Sequence, residues 1–224
     1  MQKIFEPFFH AAYLITVIAL GIQMIRLYEG RRYFILFGSM AVILGFGDSF
    51  HLIPRVYALL TTGLAENYAI LGAGKFITSI TMTIFYVILY EVWKERFRTK
   101  PANGLDLSIY LLAAVRVVLC LFPGNGWLSP EPSLFYGILR NIPFAVLGAI
   151  IMYLLHSSGK RSNDRDAINL SYGVFFSFLF YVPVVLFAGT APLVGVLMVP
   201  KTIAYLYIVF TGYGQLGQYH LEKA

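Results

Sequence analysis

Charge is scarce in this chain. Only 12% of its 224 residues are Asp, Glu, Lys or Arg, against about 25% in an ordinary soluble domain. With 58% hydrophobic residues, it carries more apolar surface than a soluble fold of this length can hide. Cysteine is almost absent. Cys120 stands alone, which excludes an intrachain disulfide framework, and its apolar neighbours make it a small packing residue. No Pro/Ser-rich or low-complexity linker interrupts the sequence, so residues 1–224 read as a single transmembrane domain. The net charge of +6 does not imply a nucleic-acid partner, because the basic residues sit where membrane topology places them.

What the chain does have is long apolar runs. A membrane-spanning helix needs about 20 mostly apolar residues, and seven segments qualify, at about 4–26, 33–55, 67–92, 106–123, 133–156, 167–188 and 192–217. Glu6 and Pro7 interrupt the first run early, and it is long enough to span, so it reads as a helix and not a cleaved leader. Turn residues separate the runs: Glu29-Gly30, Pro101-Ala102-Asn103-Gly104, Pro123-Gly124-Asn125-Gly126 and Gly189-Thr190-Ala191-Pro192. The predicted fold is therefore an all-α polytopic bundle of seven helices in contact with the lipid bilayer.

The basic loops set its orientation. Arg26, Arg31 and Arg32 follow helix 1; Lys94, Arg96, Arg98 and Lys100 follow helix 3; Lys160, Arg161 and Arg165 follow helix 5; Lys223 is in the tail. The other side holds Lys3 and Arg55, the latter read as interfacial. The positive-inside rule then places the N-terminus outside and the C-terminus in the cytoplasm. An internal echo accompanies this. Pro7-Phe8 in helix 1 matches Pro143-Phe144 in helix 5, and Gly74-Lys75 in helix 3 matches Pro200-Lys201 in helix 7. It suggests a 3+1+3 plan of parallel repeats, as in the sugar-transporting SWEET family, although the proline–glutamine signature of that wider group is absent.

The informative residues are the polar ones inside the apolar runs. They are Glu6 and His10 in helix 1, Asp48, Ser49, His51 and Arg55 in helix 2, Lys75 in helix 3, Arg116 in helix 4, Arg140 and Asn141 in helix 5, and Lys201 in helix 7. All fall in the outer half, roughly 5–15 Å below its boundary. Glu6 and His10 share one helix face, as do Asp48, His51 and Arg55. Lys75, Ser79, Thr83, Tyr86 and Tyr90 form a stripe on helix 3. An ionised residue in mid-membrane costs about 3 kcal/mol or more. Lys75, Arg116, Arg140 and Lys201 are four cations against two acids, Glu6 and Asp48. The excess must be neutral, hydrated or matched by a bound anion, and a carboxylate or phosphate is the natural guest. Snorkelling of Lys75 and Lys201 to headgroups is the competing explanation.

Three functions follow as expectations. The first is binding or transport of a small anionic solute, with Lys75, Arg116, Arg140, Asn141, Lys201, Glu6, His10 and Ser49 as ligand-binding residues and Asp48 with His51 as a titratable pair. The second is a membrane-embedded hydrolase for a lipid or lipid phosphate, in which Glu6, His10, Asp48 and His51 hold a divalent metal. It resembles the seven-helix ceramidase and adiponectin-receptor superfamily. However, Gly47 stands where that group has a serine four residues before the helix 2 histidine, and helix 7 has no histidine pair. The third is a retinal protein or outward sensor, with Lys201 as Schiff-base lysine and Asp48 or Glu6 as counter-ion; three further cations oppose a protonated Schiff base. No cofactor is expected on the first reading.

The runs Gly47-Asp48-Ser49-Phe50-His51-Leu52-Ile53-Pro54-Arg55, Gly74-Lys75-Phe76-Ile77-Thr78-Ser79-Ile80-Thr81-Met82-Thr83 and Val199-Pro200-Lys201-Thr202 resemble segments of a family of bacterial multi-pass membrane proteins. The resemblance implies a bacterial inner-membrane location and supplies no activity.

Overall fold

The computed structural model describes residues 2–100, 103–189 and 191–223. The predicted turn residues Pro101, Ala102 and Thr190, and the side chains of Lys3, Asn103, Pro192 and Lys223, lie outside the described residues. Seven α-helices run in chain order: α1 (Gln2–Arg26), α2 (Arg32–Leu60), α3 (Tyr68–Phe97), α4 (Asn103–Leu121), α5 (Leu134–Arg161), α6 (Arg165–Phe187) and α7 (Met198–Lys223). Short 3-10 turns at Pro123–Asn125 and Pro192–Leu197 precede α5 and α7. All seven helices are long and apolar enough to cross a membrane. Their outward faces carry Phe8, Ile15, Phe46, Leu111, Leu121 and Phe135, all exposed. Such a belt is tolerable only where lipid replaces water.

Sequential helices pack side by side, α7 returns to α1, and α3–α5 and α2–α7 meet inside. The core draws on every helix, with Tyr13, Val17, Phe37, Leu44, Phe85, Ile109, Leu147, Val174 and Ile208 buried at its centre. Because the helices alternate in direction, the loops after α1, α3 and α5 and the end of α7 share one end, here called the basic end.

Several helices extend past their predicted limits. α2 continues through Pro54 to Leu60, and α3 adds a turn and a half beyond 92 to Phe97, where Arg98 takes the left-handed conformation (φ 46). α7 starts later than expected, at Met198, because 192–197 winds as a 3-10 turn. α6 begins at an N-cap, where the Asp164 side chain accepts from the Ala167 N–H at 3.1 Å.

Among the described residues, prolines within helices mark the end away from the basic loops. Pro7, Pro54, Pro143 and Pro183 lie inside helices, and Pro200 is in the first turn of α7. Each intrahelical proline removes an N–H donor from the ladder. Pro54 strips the Phe50 carbonyl of its helical donor, and Gly74 of α3 backs onto that oxygen. A Cβ at Gly74 would lie 2.1 Å from Phe50 O and 2.8 Å from the His51 Cα. The two helices approach backbone to backbone, as small residues permit in membranes, and the Thr78 hydroxyl donates to the Gly47 carbonyl at 3.0 Å along the same seam. This seam fixes where Asp48 and His51 stand relative to α3.

Candidate functional site

A small, partly enclosed cavity of about 50 Å³ lies between α1, α2, α3 and α7 in the half away from the basic end. That volume holds a few waters or one compact anionic group. Its polar lining comes from His10, Asp48, His51, Arg55, Thr78 and Lys201, with Tyr205 and Thr202 on the α7 side. Of the predicted site residues, His10, Asp48, His51 and Lys201 converge here.

Each acid in the layer has its own partner. Tyr13 donates its hydroxyl to Asp48 Oδ2 at 2.7 Å. Arg55 grips Glu6 with two hydrogen bonds, Nε to Oε2 at 2.8 Å and Nη2 to Oε1 at 3.2 Å. Arg55 is therefore not a free interfacial group, because it closes α2 onto α1. Sequence reasoning missed Tyr13 as well, yet Glu6, His10 and Tyr13 follow the i, i+4, i+7 spacing of one face. His10 lies 3.9 Å from Glu6. Both of its ring nitrogens, and Nδ1 of His51, are buried without a hydrogen-bond partner.

The cations separate into three environments. Lys201 is 7% exposed and faces Asp48 across the cavity, and no ion pair within 4 Å joins them. Its Nζ sits 4.2 Å above the Tyr181 ring and 5.5 Å from the Tyr205 ring. Arg116 is 2% exposed. Its guanidinium lies 3.2 Å from the Phe144 ring centre, and Nε and Nη1 have no hydrogen-bond partner. Among the described residues no acid pairs with it. Cation–π contacts supply part of the missing stabilisation for both.

Arg140 and Asn141 have neutral partners instead. Arg140 Nη1 donates to Asn125 Oδ1 at 2.7 Å and stacks 4.2 Å from the Trp127 ring. The buried Asn125 in turn donates to the carbonyls of Leu119 and Phe122, both at 2.8 Å, closing the end of α4. Asn141 donates to Gly137 O and accepts from the Tyr181 hydroxyl at 3.0 Å. Lys75 is exposed, whereas Thr83, Tyr86 and Tyr90 lower on its stripe are buried. The two echoing lysines thus occupy different surroundings, Lys75 on the surface and Lys201 inside. Ser49 donates to Phe46 O within its own helix at 2.6 Å and is not among the cavity's lining residues.

No three His, Cys, Asp or Glu side chains converge in a metal-holding group among the described residues. Glu6 and Asp48 are engaged by Arg55 and Tyr13, so a four-ligand set with His10 and His51 would first have to break both contacts. The cavity around Lys201, at about 50 Å³, is smaller than the pockets of about 300 Å³ or more that hold larger ligands.

A second polar cluster, unforeseen in the sequence, binds the basic end. Arg96, in the last turn of α3, donates from Nε and Nη2 to both Asp164 oxygens, the latter at 2.7 Å. Its Nη1 donates to the Tyr33 hydroxyl of α2 at 3.1 Å and to Gln215 Oε1 of α7. Burial pushes the Asp164 carboxyl up, but the Arg96 hydrogen bond and the Ala167 N–H outweigh it and hold the group below the usual carboxylate range. One guanidinium thus joins α2, α3, α6 and α7. Lys94 adds an ion pair to Asp106 of α4 at 3.1 Å, and Trp93 donates to Ser158 of α5 at 3.0 Å. No protein-family model, curated protein or solved structure matches the chain.

Proposed function

We propose that this bundle binds, and carries across the membrane, a small anionic solute bearing a carboxylate or phosphate. The observation that carries the reading is the pair of buried cations, Arg116 and Lys201, at 2% and 7% exposure, neither ion-paired among the described residues. A buried charge without a partner costs several kcal/mol. Aromatic faces recover about 2 kcal/mol each when desolvated, and a bound anion supplies the rest. Asp48 and His51, which flank Lys201 in the same cavity, are the titratable pair that would couple the guest to protons. On this reading the cavity opens toward the outside, the basic end is cytoplasmic, and the protein lies in a bacterial inner membrane with the N-terminus out. The charge asymmetry of the loops supports that orientation, and the 3+1+3 echo supports a transporter plan.

The test is uptake and binding by purified protein in liposomes, across a panel of short carboxylates and inorganic phosphate. Lys201→Gln and Arg116→Met should each weaken binding at least tenfold. Arg116→Met should leave thermal stability unchanged or raised, because exchanging an unpaired buried ion for an apolar side chain of similar volume is neutral to stabilising. If no anion in the panel binds or enters, the reading is wrong.

A further inference from the structure

A second hollow lies behind the first. It is a groove of about 140 Å³ between α5 and α6, open on one side and almost wholly apolar. Ile142, Ala145, Val182 and Leu186 form its walls, and its polar groups are Asn141 and Tyr181, which hydrogen-bond to each other across the two helices at 3.0 Å. It lies in the half away from the basic end, where α5 begins and α6 finishes. In a spanning bundle, its open side faces acyl chains.

The groove shares its inner wall with the buried cations. Tyr181 lines the groove, and the face of its ring carries Lys201 Nζ at 4.2 Å. Phe144 also lines the groove, and its ring carries the Arg116 guanidinium at 3.2 Å. Lys201 itself lines the polar cavity. The Lys201–Tyr181 contact is thus the partition between a polar chamber sized for one head group and an apolar slot sized for part of an alkyl chain. Arg116, unpartnered at Nε and Nη1 and 2% exposed, stands directly behind the slot.

We propose that the guest is an amphiphilic anion, a single-chain carboxylate or phosphate monoester. It enters sideways from the membrane, with its chain in the α5–α6 groove and its head group passing Tyr181 to Lys201. This rests on the anion-binding reading and narrows it to a substrate class. Charge complementarity selects the head group, and the apolar walls select the tail. A water-borne solute would have no use for the groove.

The experiment uses full-length protein in nanodiscs and a dodecanoate bearing a terminal diazirine. The expected result is photolabelling on Ile142, Val182 or Leu186. Dodecanoate or dodecyl phosphate should suppress it at least tenfold, and equimolar dodecanol should not; the relative strength of the two anions tells carboxylate from phosphate. Ala145→Phe, which fills the groove from its exposed side, should lower labelling at least tenfold. Binding of radiolabelled acetate or inorganic phosphate should stay within twofold in that variant. Leu186→Trp serves the same purpose if Ala145→Phe melts below the parent. Equal competition by dodecanol would reduce the groove to a non-selective acyl slot and overturn the inference. So would labelling elsewhere, or insensitivity to both groove variants, while short anions still bind. Absence of binding by every anion, short or long, would instead remove the anion reading beneath it.

Discussion

Replacing Arg96 by alanine tests whether the basic end is held by one side chain. Arg96 makes two hydrogen bonds to the Asp164 carboxylate and one each to Tyr33 and Gln215. All four bonds have the charged guanidinium as donor, and such charge-assisted bonds contribute about 1.5–3 kcal/mol each. The gross loss is then about 6–12 kcal/mol. Both members of the ion pair keep 18% of their side-chain exposure, so released groups regain some hydration, and a net loss of about 3 kcal/mol is expected. Asp164→Asn separates the ion pair from the helix cap, since asparagine caps about as well as aspartate. It should cost about 1.5 kcal/mol. The assay is equilibrium unfolding in mixed micelles by denaturing-detergent titration, run as a double-mutant cycle. A coupling of about 1.5 kcal/mol between positions 96 and 164 is expected. Additivity within about 0.5 kcal/mol, or a loss below about 1 kcal/mol for Arg96→Ala, would refute the idea that this guanidinium ties the four helices.

Gly74→Ala should destabilise the protein by about 3 kcal/mol or force α3 off α2, because the new Cβ meets the Phe50 carbonyl oxygen and the His51 backbone. Gly104→Ala, with nothing within 4 Å of the added Cβ, should be neutral or slightly stabilising; thermal melts of the two variants check the contrast. Acid sensitivity should also track Asp164. Its carboxyl is held below the usual range, so its contribution is complete above about pH 4. That contribution is lost as the pH falls through the folded-state value, and Asp164→Asn should flatten this acidic limb of the stability curve while lowering its neutral plateau by about 1.5 kcal/mol.

The seven helices were legible because length and hydropathy alone define a spanning segment, and tertiary context hardly alters that. Their ends were less so. The stretch Trp93 to Phe97 reads as a charged loop, yet it continues α3, because Lys94 and Arg96 find acids on other elements and not water. The layer of polar residues was visible, and so was its excess of cations. Who meets whom was not. Arg55 and Glu6 lie 49 residues apart, and no local pattern announces that pair. Likewise, some of the sixteen tyrosines, with Trp93 and Trp127, fit an interfacial-belt reading. Only the packed bundle shows that Tyr181, Tyr205 and Phe144 lie beneath Lys201 and Arg116. Tyr13 was missed although a signal for it existed, since its spacing from Glu6 and His10 puts it on their face.

The placement of the prolines has a mechanical consequence. Pro7, Pro54, Pro143, Pro183 and Pro200 all fall in the half opposite Arg96. Pro7, Pro54, Pro143 and Pro183 each take one N–H out of their helix's ladder, while the opposite end is pinned by the Arg96 and Lys94 clusters. Stiffness is therefore graded along the membrane normal. A thermal fluctuation that parts the helices will do so like tweezers joined at the grip, spreading where α5 meets α6 and where α2 meets α7 and scarcely moving at the basic end.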